Sequence, residues 1–293
     1  MSEAGRRFRF AQFEFPWELG PDDGRYMLRE AGEQEARRVL ALRTLGAPQG
    51  RHRRRPRKAA AEPPPQPVPT TRVTVIDPTG LDEAAADAWL RGMKGDAAAE
   101  ALEDAMAIVN RVLSAHRVAS VDPNVVPASR DRALVARLGY GRGEEVADGQ
   151  WSRAVEIAAD RRARVRRRPA AIRPHERFAG LVGGHERALA CEELTLRARL
   201  DLASDRPREA ALQLRVALEA AIAELDVPGA VAGMPERVDE LRAQREAVGA
   251  AANQALGGAV GDGKIEAVEH ALGRLEAALR ARAAGGAGRS GDG

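Results

Sequence analysis

Residues 185–225 read HERALACEELTLRARLDLASDRPREAALQLRVALEAAIAEL, two helical patterns with a short turn at 203–207. This stretch limits the fold more than any other. At 100° per residue the first pattern has two apolar sides: Leu189, Leu196 and Leu200 on one, Cys191, Leu194, Ala198 and Leu202 on the other. A surface helix needs a single stripe, so this helix is expected to be packed on both sides. The second pattern places Leu214, Leu218, Ala221, Ile222 and Leu225 on a broad face, with Leu212 and Val216 on another. Neither can stand as a lone appendage, and the second half of the chain is therefore expected to be a helical assembly.

Within the hairpin, PREAALQLRVALEAAIAEL places the small residues Ala210 and Ala217 around the large Leu214. In this it resembles the second helix of a tetratricopeptide repeat, and residues 187–225 resemble a single hairpin of that family. Asp201 stands where the repeat has an aromatic residue, Asp205 where a turn glycine is usual, and no second copy follows at the ~34-residue period of such arrays. The resemblance implies a repeat-like groove for a partner protein; an ordinary helical pair is the other reading.

At 293 residues and 44% apolar content, the chain can hold two modest domains with cores. It has no apolar run long enough for a membrane span. The start, MSEAGRRFRFAQFEF, lacks an apolar signal region, and the single Cys191 can form no internal disulfide, so a soluble cytoplasmic protein is expected. Of the 46 basic residues, 43 are arginine. With the alanine abundance this looks like the codon bias of a GC-rich bacterial genome, which makes charge placement more telling than charge total.

The fold expected is α+β: an N-terminal small antiparallel sheet with covering helices, then an all-helical C-terminal half containing the TPR-like hairpin. Residues 1–46 are the β-rich part. In 6–17, RRFRFAQFEFPW, Phe8 and Phe10 share one parity and Phe13, Phe15 and Trp17 the other, which suggests a β-bulge near Ala11 and Gln12. Strands at 25–29 and 38–45 follow. Six of the ten aromatics fall before residue 27 and are expected in a core, with RNA stacking beside Arg6, Arg7 and Arg9 as the other use.

Residues 47–71 are Arg-rich, then Pro-rich, and are expected to be a disordered linker inserted within one domain. The remainder of that domain, 72–160, starts with a strand at 72–77 that should rejoin the sheet. Helices at 81–93 and 96–116 follow, the second N-capped by Asp96 and striped by Leu102, Met106, Val109 and Leu113. A strand-like stretch at 133–141 precedes a hairpin expected around Asp148 and Gly149.

A basic connector at 161–174 leads to the helical domain, 175–283, and a Gly-rich tail, 284–293. A helix at 236–256 carries a seam of Val238, Leu241, Val248, Ala252 and Ala255. The last carries Ile265, Val268, Leu272, Leu275 and Leu279 at heptad spacing, either closing the bundle or forming a homodimer seam.

Chemistry is thin. His175, Glu176, His185, Glu186 and Cys191 are metal-ligand types without ligand spacing, and Cys191 has no activating base marked beside it. Gly139, Gly141 and Gly143 are not a dinucleotide fingerprint, because Glu144 follows where the pattern breaks; 261–265 is no phosphate loop. No cofactor or metal is therefore expected. The arginine tracts are the strongest charge signal: Arg51, Arg53, Arg54, Arg55 and Arg57 with Lys58, then Arg164, Arg166, Arg167 and Arg168 among seven arginines at 161–173. Either could condense on phosphates. The function expected is that of a non-catalytic cytoplasmic bacterial adaptor or scaffold that binds a partner protein through its helical half. An RNA- or DNA-associated protein using the arginines is the alternative, and an enzyme with a site in the α+β domain is the third.

Overall fold

The computed structural model describes residues 5–29, 36–46, 69–158, 174–227 and 231–286. Two compact units divide the chain, Met1–Ala159 and Asp160–Gly293.

The first unit is a six-stranded antiparallel sheet of β1 (Phe8–Phe15), β2 (Gly24–Leu28), β3 (Arg38–Leu45), β4 (Thr70–Ile76), β5 (Val135–Gly141) and β6 (Arg153–Glu156), in the order β2-β3-β4-β1-β5-β6. β3 and β4 are neighbours, so the chain leaves the sheet at Leu45 and re-enters it alongside at Thr70.

The bulge expected in β1 is absent. Its register runs unbroken against β4 from Phe10↔Ile76 to Phe15↔Thr71, and against β5 from Phe8↔Gly141 to Glu14↔Val135. The switch in aromatic parity has a simpler cause, which is that both faces of this central strand are covered. Ala11, Phe13 and Phe15 face the main core beneath α1 (Glu83–Gly92) and α2 (Gly95–Ser120). Phe8 and Phe10 face a smaller cluster with Ile76, Val146 and Trp151. Phe13 and Phe15 have no exposed surface and Phe10 has 3%, so these rings pack a core and are not free to stack on bases.

The stripe of Leu102, Met106, Val109 and Leu113 is buried on α2. Asp96 is no cap: the N-cap position is Lys94, and Asp96 lies in the first turn, where its charge still complements the helix dipole. Buried Asn110 ties the following loop to the helix, donating to Ala128 O at 3.0 Å and accepting from Ala128 N at 2.7 Å.

The hairpin expected about Asp148 and Gly149 is also corrected. Residues 143–147 form a short helix, α3 (Gly143–Ala147), and Gly149, at φ 81°, turns the chain out of it. Strand β6 starts only at Arg153 and pairs with β5. The second face of the sheet needs cover, and α3 supplies it by burying Val146 to 1%. Gly139 permits the close approach of β6, since a Cβ there would lie 2.6 Å from both Arg153 O and the Phe10 ring.

The second unit contains α4 (Pro174–Val182), α5 (Ala190–Ala203), α6 (Pro207–Leu225), α7 (Met234–Ala243), α8 (Arg245–Gly257) and α9 (Asp262–Gly286). Leu214 and Leu218 of α6 centre a core with Val238, Leu241, Val248, Leu272 and Leu275. The single helix expected over 236–256 is two. Gln244 N bonds Leu241 O, three residues back, a tightened turn between α7 and α8. The heptad stripe of α9 turns into its own bundle, with Val268, Leu272 and Leu275 at most 1% exposed, which leaves that seam no face for a second protomer.

Helix α2 ends in an unusual way. Asp122 N reaches back to Arg117 O at 3.1 Å in a Schellman arrangement, and the residue in the left-handed position is Val121, at φ 54° and 85% exposed. A β-branched residue there carries a penalty of about 1–2 kcal/mol, whereas glycine has no Cβ but loses about 0.5–1 kcal/mol in backbone entropy. Val121→Gly is therefore expected to stabilise the protein by about 0.5–1 kcal/mol. Urea denaturation of both proteins, with the slope unchanged, measures this; a destabilised variant would show that the strain reading is wrong.

Candidate functional site

The α5–α6 hairpin closes as its sequence pattern suggests, with Asp205 adopting φ 55° where the resembled repeat would use glycine. α5, however, is one-sided. Cys191, Thr195 and Ala198 are buried and Leu194 and Leu202 pack against the core, whereas Leu196 is 67% and Leu200 44% exposed. The two-sided reading fails because α6 and α9 cover one side only. The helix also starts at Ala190 rather than at His185, which sits exposed in the turn before it.

Half-buried carboxylates lock the start of α5. Glu224 reaches across from α6 to accept from Ala190 N at 3.0 Å and Cys191 N at 2.9 Å, satisfying two of the orphan donors at the helix terminus. Glu192 accepts from Leu189 N at 2.9 Å and pairs with Arg177 of α4 and Arg282 of α9. Along the same helix Arg199 grips Glu276 of α9 with two bonds, 2.7 and 3.0 Å.

Cys191 sits inside this lock. Burial and the Glu224 carboxylate push its thiol up to about 12. Thiolate is the nucleophile, so a buried thiol held in this protonated form is expected to react slowly at neutral pH. The folded value lies above the unfolded one, so its contribution to stability is complete below pH ~8.5 and is lost as pH rises toward the folded value. An aromatic disulfide reagent at pH 8 should leave the native protein unlabelled and modify one thiol per chain after denaturation. Rapid native labelling would contradict the burial.

The outer surface of the hairpin is apolar in places. On α5, Leu196 and Leu200 lie one turn apart, bounded by the Glu193–Arg197 ion pair at 2.9 Å. On α6, Val216 is 55% exposed and Ala223 is exposed, while Leu212 and Ala220 between and beside them are half-buried against the core. Ala198 on the inner side has no exposed surface. Leu196→Asp should thus change stability by under about 0.5 kcal/mol, while Ala198→Asp should lower it by several kcal/mol, since it buries an unpaired charge. Thermal melts of the two variants decide this; equal losses would restore the two-sided helix.

The sheet unit holds a cleft of about 180 Å³ between α1, α2 and the sheet. Ala11, Val75, Leu138, Ala101, Ala105 and Ile108 make its apolar surface, and Arg9, Arg38, Asp77, Trp89 and Asp104 its polar and aromatic rim. The Arg9 guanidinium donates to Asp77 at 2.5 Å and lies 5.7 Å from the centre of the Trp89 ring. Burial raises the Asp77 carboxyl, but hydrogen bonds from Thr79 and the charges of Arg9 and Arg38 outweigh this and hold it below its ordinary range. Beside the cleft, Tyr140 donates to Asp87 at 2.5 Å, and Arg153 donates to the same oxygen at 3.0 Å. Sequence reasoning passed over this site. The available signal was Arg7 and Arg9 sharing strand parity with Ala11 and Phe13, charges on the side that points into the core.

The residues chosen from sequence for phosphate contact, Arg51, Arg53, Arg54, Arg55 and Arg57 and Arg164, Arg166, Arg167 and Arg168, lie outside the described residues. Among the described residues no group of three or more His, Cys, Asp or Glu could hold a metal ion, and no helix is long and apolar enough to cross a membrane. Comparison with protein-family models, with curated proteins and with solved structures gives no match.

Proposed function

We propose that the chain is a non-catalytic adaptor whose helical unit receives an amphipathic helix of a partner protein on the outer face of the α5–α6 hairpin. The observation that carries this reading is the exposure of three large apolar side chains on the hairpin, Leu196 at 67% and Leu200 at 44% on α5 and Val216 at 55% on α6. These side chains do nothing for the bundle itself. Fully burying one such residue contributes about 1.5–3 kcal/mol, so a partner covering several of them gains enough to offset part of the cost of association. Exposed apolar residues ringed by charges such as Glu193, Arg197, Glu209 and Arg215 are the usual make-up of a docking face. Glu224 ties α6 to the start of α5, and the Glu192–Arg282 and Arg199–Glu276 pairs tie α5 to α9, which lowers the ordering cost on binding.

The test is a triple variant, Leu196→Arg, Leu200→Arg and Val216→Arg, compared with wild type by affinity capture from nuclease-treated native lysate. The variant should melt like wild type and lose the captured protein by at least about tenfold, equivalent to one strong contact of ~1.4 kcal/mol. Unchanged capture by a folded variant would move the interface elsewhere. Capture abolished by nuclease alone would favour the arginine tracts and nucleic acid.

A further inference from the structure

We propose that the cleft of the sheet unit is a binding site for a small aromatic carboxylate. Its volume, about 180 Å³, falls below the ~300 Å³ at which pockets for drug-sized ligands begin, so the occupant is a single-ring molecule. The surface formed by Val75, Leu138, Ala101, Ala105 and Ile108 offers no hydrogen bonds from its side chains, and an apolar ring suits it. Trp89 adds a flat wall.

The head group follows from Arg9. Its guanidinium is anchored by Asp77 at 2.5 Å and by the Trp89 ring, yet its Nε lies buried with no acceptor among the described residues. A buried N–H left without an acceptor is unfavourable, and an incoming acceptor or an ordered water relieves it. Arg38 lies on the rim of the same cleft. Arg9 pairs with Asp77, the one inner carboxylate, and Arg38 adds a second guanidinium to the same lining, so one positive charge is left for the ligand's carboxylate to match. Planar guanidinium forks are well suited to that group. The other acid on the rim, Asp104, is exposed on α2, where water screens it; it opposes an anion weakly.

The experiment uses the full-length chain and three probes of one ring size: benzoate, benzyl alcohol and benzylamine. Nitrogen–proton correlation spectra follow the Trp89 indole and the backbone amides of Ala101, Ala105 and Ile108. Benzoate should shift these signals saturably with a Kd of about 1 mM or tighter, and the alcohol and the amine should bind at least about fivefold more weakly. Arg38→Gln should weaken benzoate by about tenfold, and Asp104→Asn should tighten it by about twofold, with unchanged melting temperatures showing that both fold. The proposal is overturned if benzoate gives no saturable shifts up to about 20 mM. It is equally overturned if benzylamine matches benzoate, or if the folded Arg38 variant binds as wild type does. None of these outcomes bears on the hairpin face, which belongs to the other unit.

Discussion

β1 hydrogen-bonds to β4 along one edge and β5 along the other, and it buries side chains on both faces. A strand in that position cannot slip by one residue without sending Phe13 and Phe15 to the face built for Phe8 and Phe10. The rest of the sheet unit follows from this constraint. Strands β3 and β4 are far apart in sequence, but both are fixed by the register of β1, directly or through one neighbour. α2 lays its Leu102–Leu113 stripe on the odd face, and α3 brings Val146 to the even one. Where the even face runs out of apolar residues it turns to charge: Glu14 lies between Arg72 at 3.0 Å and Arg137 at 3.5 Å, and Arg137 stacks 4.9 Å from the centre of the Trp151 ring.

The helical unit is organised differently. Its core rests on α6, whose small residues Ala210, Ala217 and Ala221 let neighbouring helices approach while Leu214 and Leu218 fill the space between them. Packing alone does not orient helices around alanine-rich contacts, because alanines present shallow ridges. Orientation comes from arginine–carboxylate pairs between helices: Arg199 with Glu276, Arg245 with Glu219, Arg282 with Glu192. Two of these are bidentate, which fixes angle as well as distance. Their contribution to stability is modest where exposed, but their geometry tells one helix arrangement from another.

Much of this was legible from residue spacing. The α+β order, the α2 stripe, the hairpin turn and the α9 seam all follow from periodicity, which reports burial on one face directly. The misreadings share a cause: periodicity says which residues are apolar, not how many faces have cover. β1 has two covered faces and looked irregular; α5 has one and looked two-sided, because Leu196 and Leu200 are apolar without being core. The break at Gln244 has no glycine or proline to announce it, and Val121 occupies a left-handed position without the usual glycine. The cleft was illegible for a further reason. Arg9, Arg38, Asp77 and Trp89 come from four separate segments, and only the strand order brings them together.

The charge distribution sharpens what the arginines can do. Thirteen of the 46 basic residues lie in the tracts 51–58 and 161–173, which contain no acidic residue, so the remainder of the chain has 33 basic against 43 acidic residues. The small formal excess of +3 thus hides an acidic body joined to two strongly basic segments. Many arginines of the described body are already paired to carboxylates within it, as at Glu14, Asp77, Glu192 and Glu276. The described residues show exposed Leu196, Leu200 and Val216 on the hairpin, whereas both arginine tracts lie outside them, so the two readings rest on different kinds of observation: the first on the exposure of named side chains, the second on the placement of charge along the sequence.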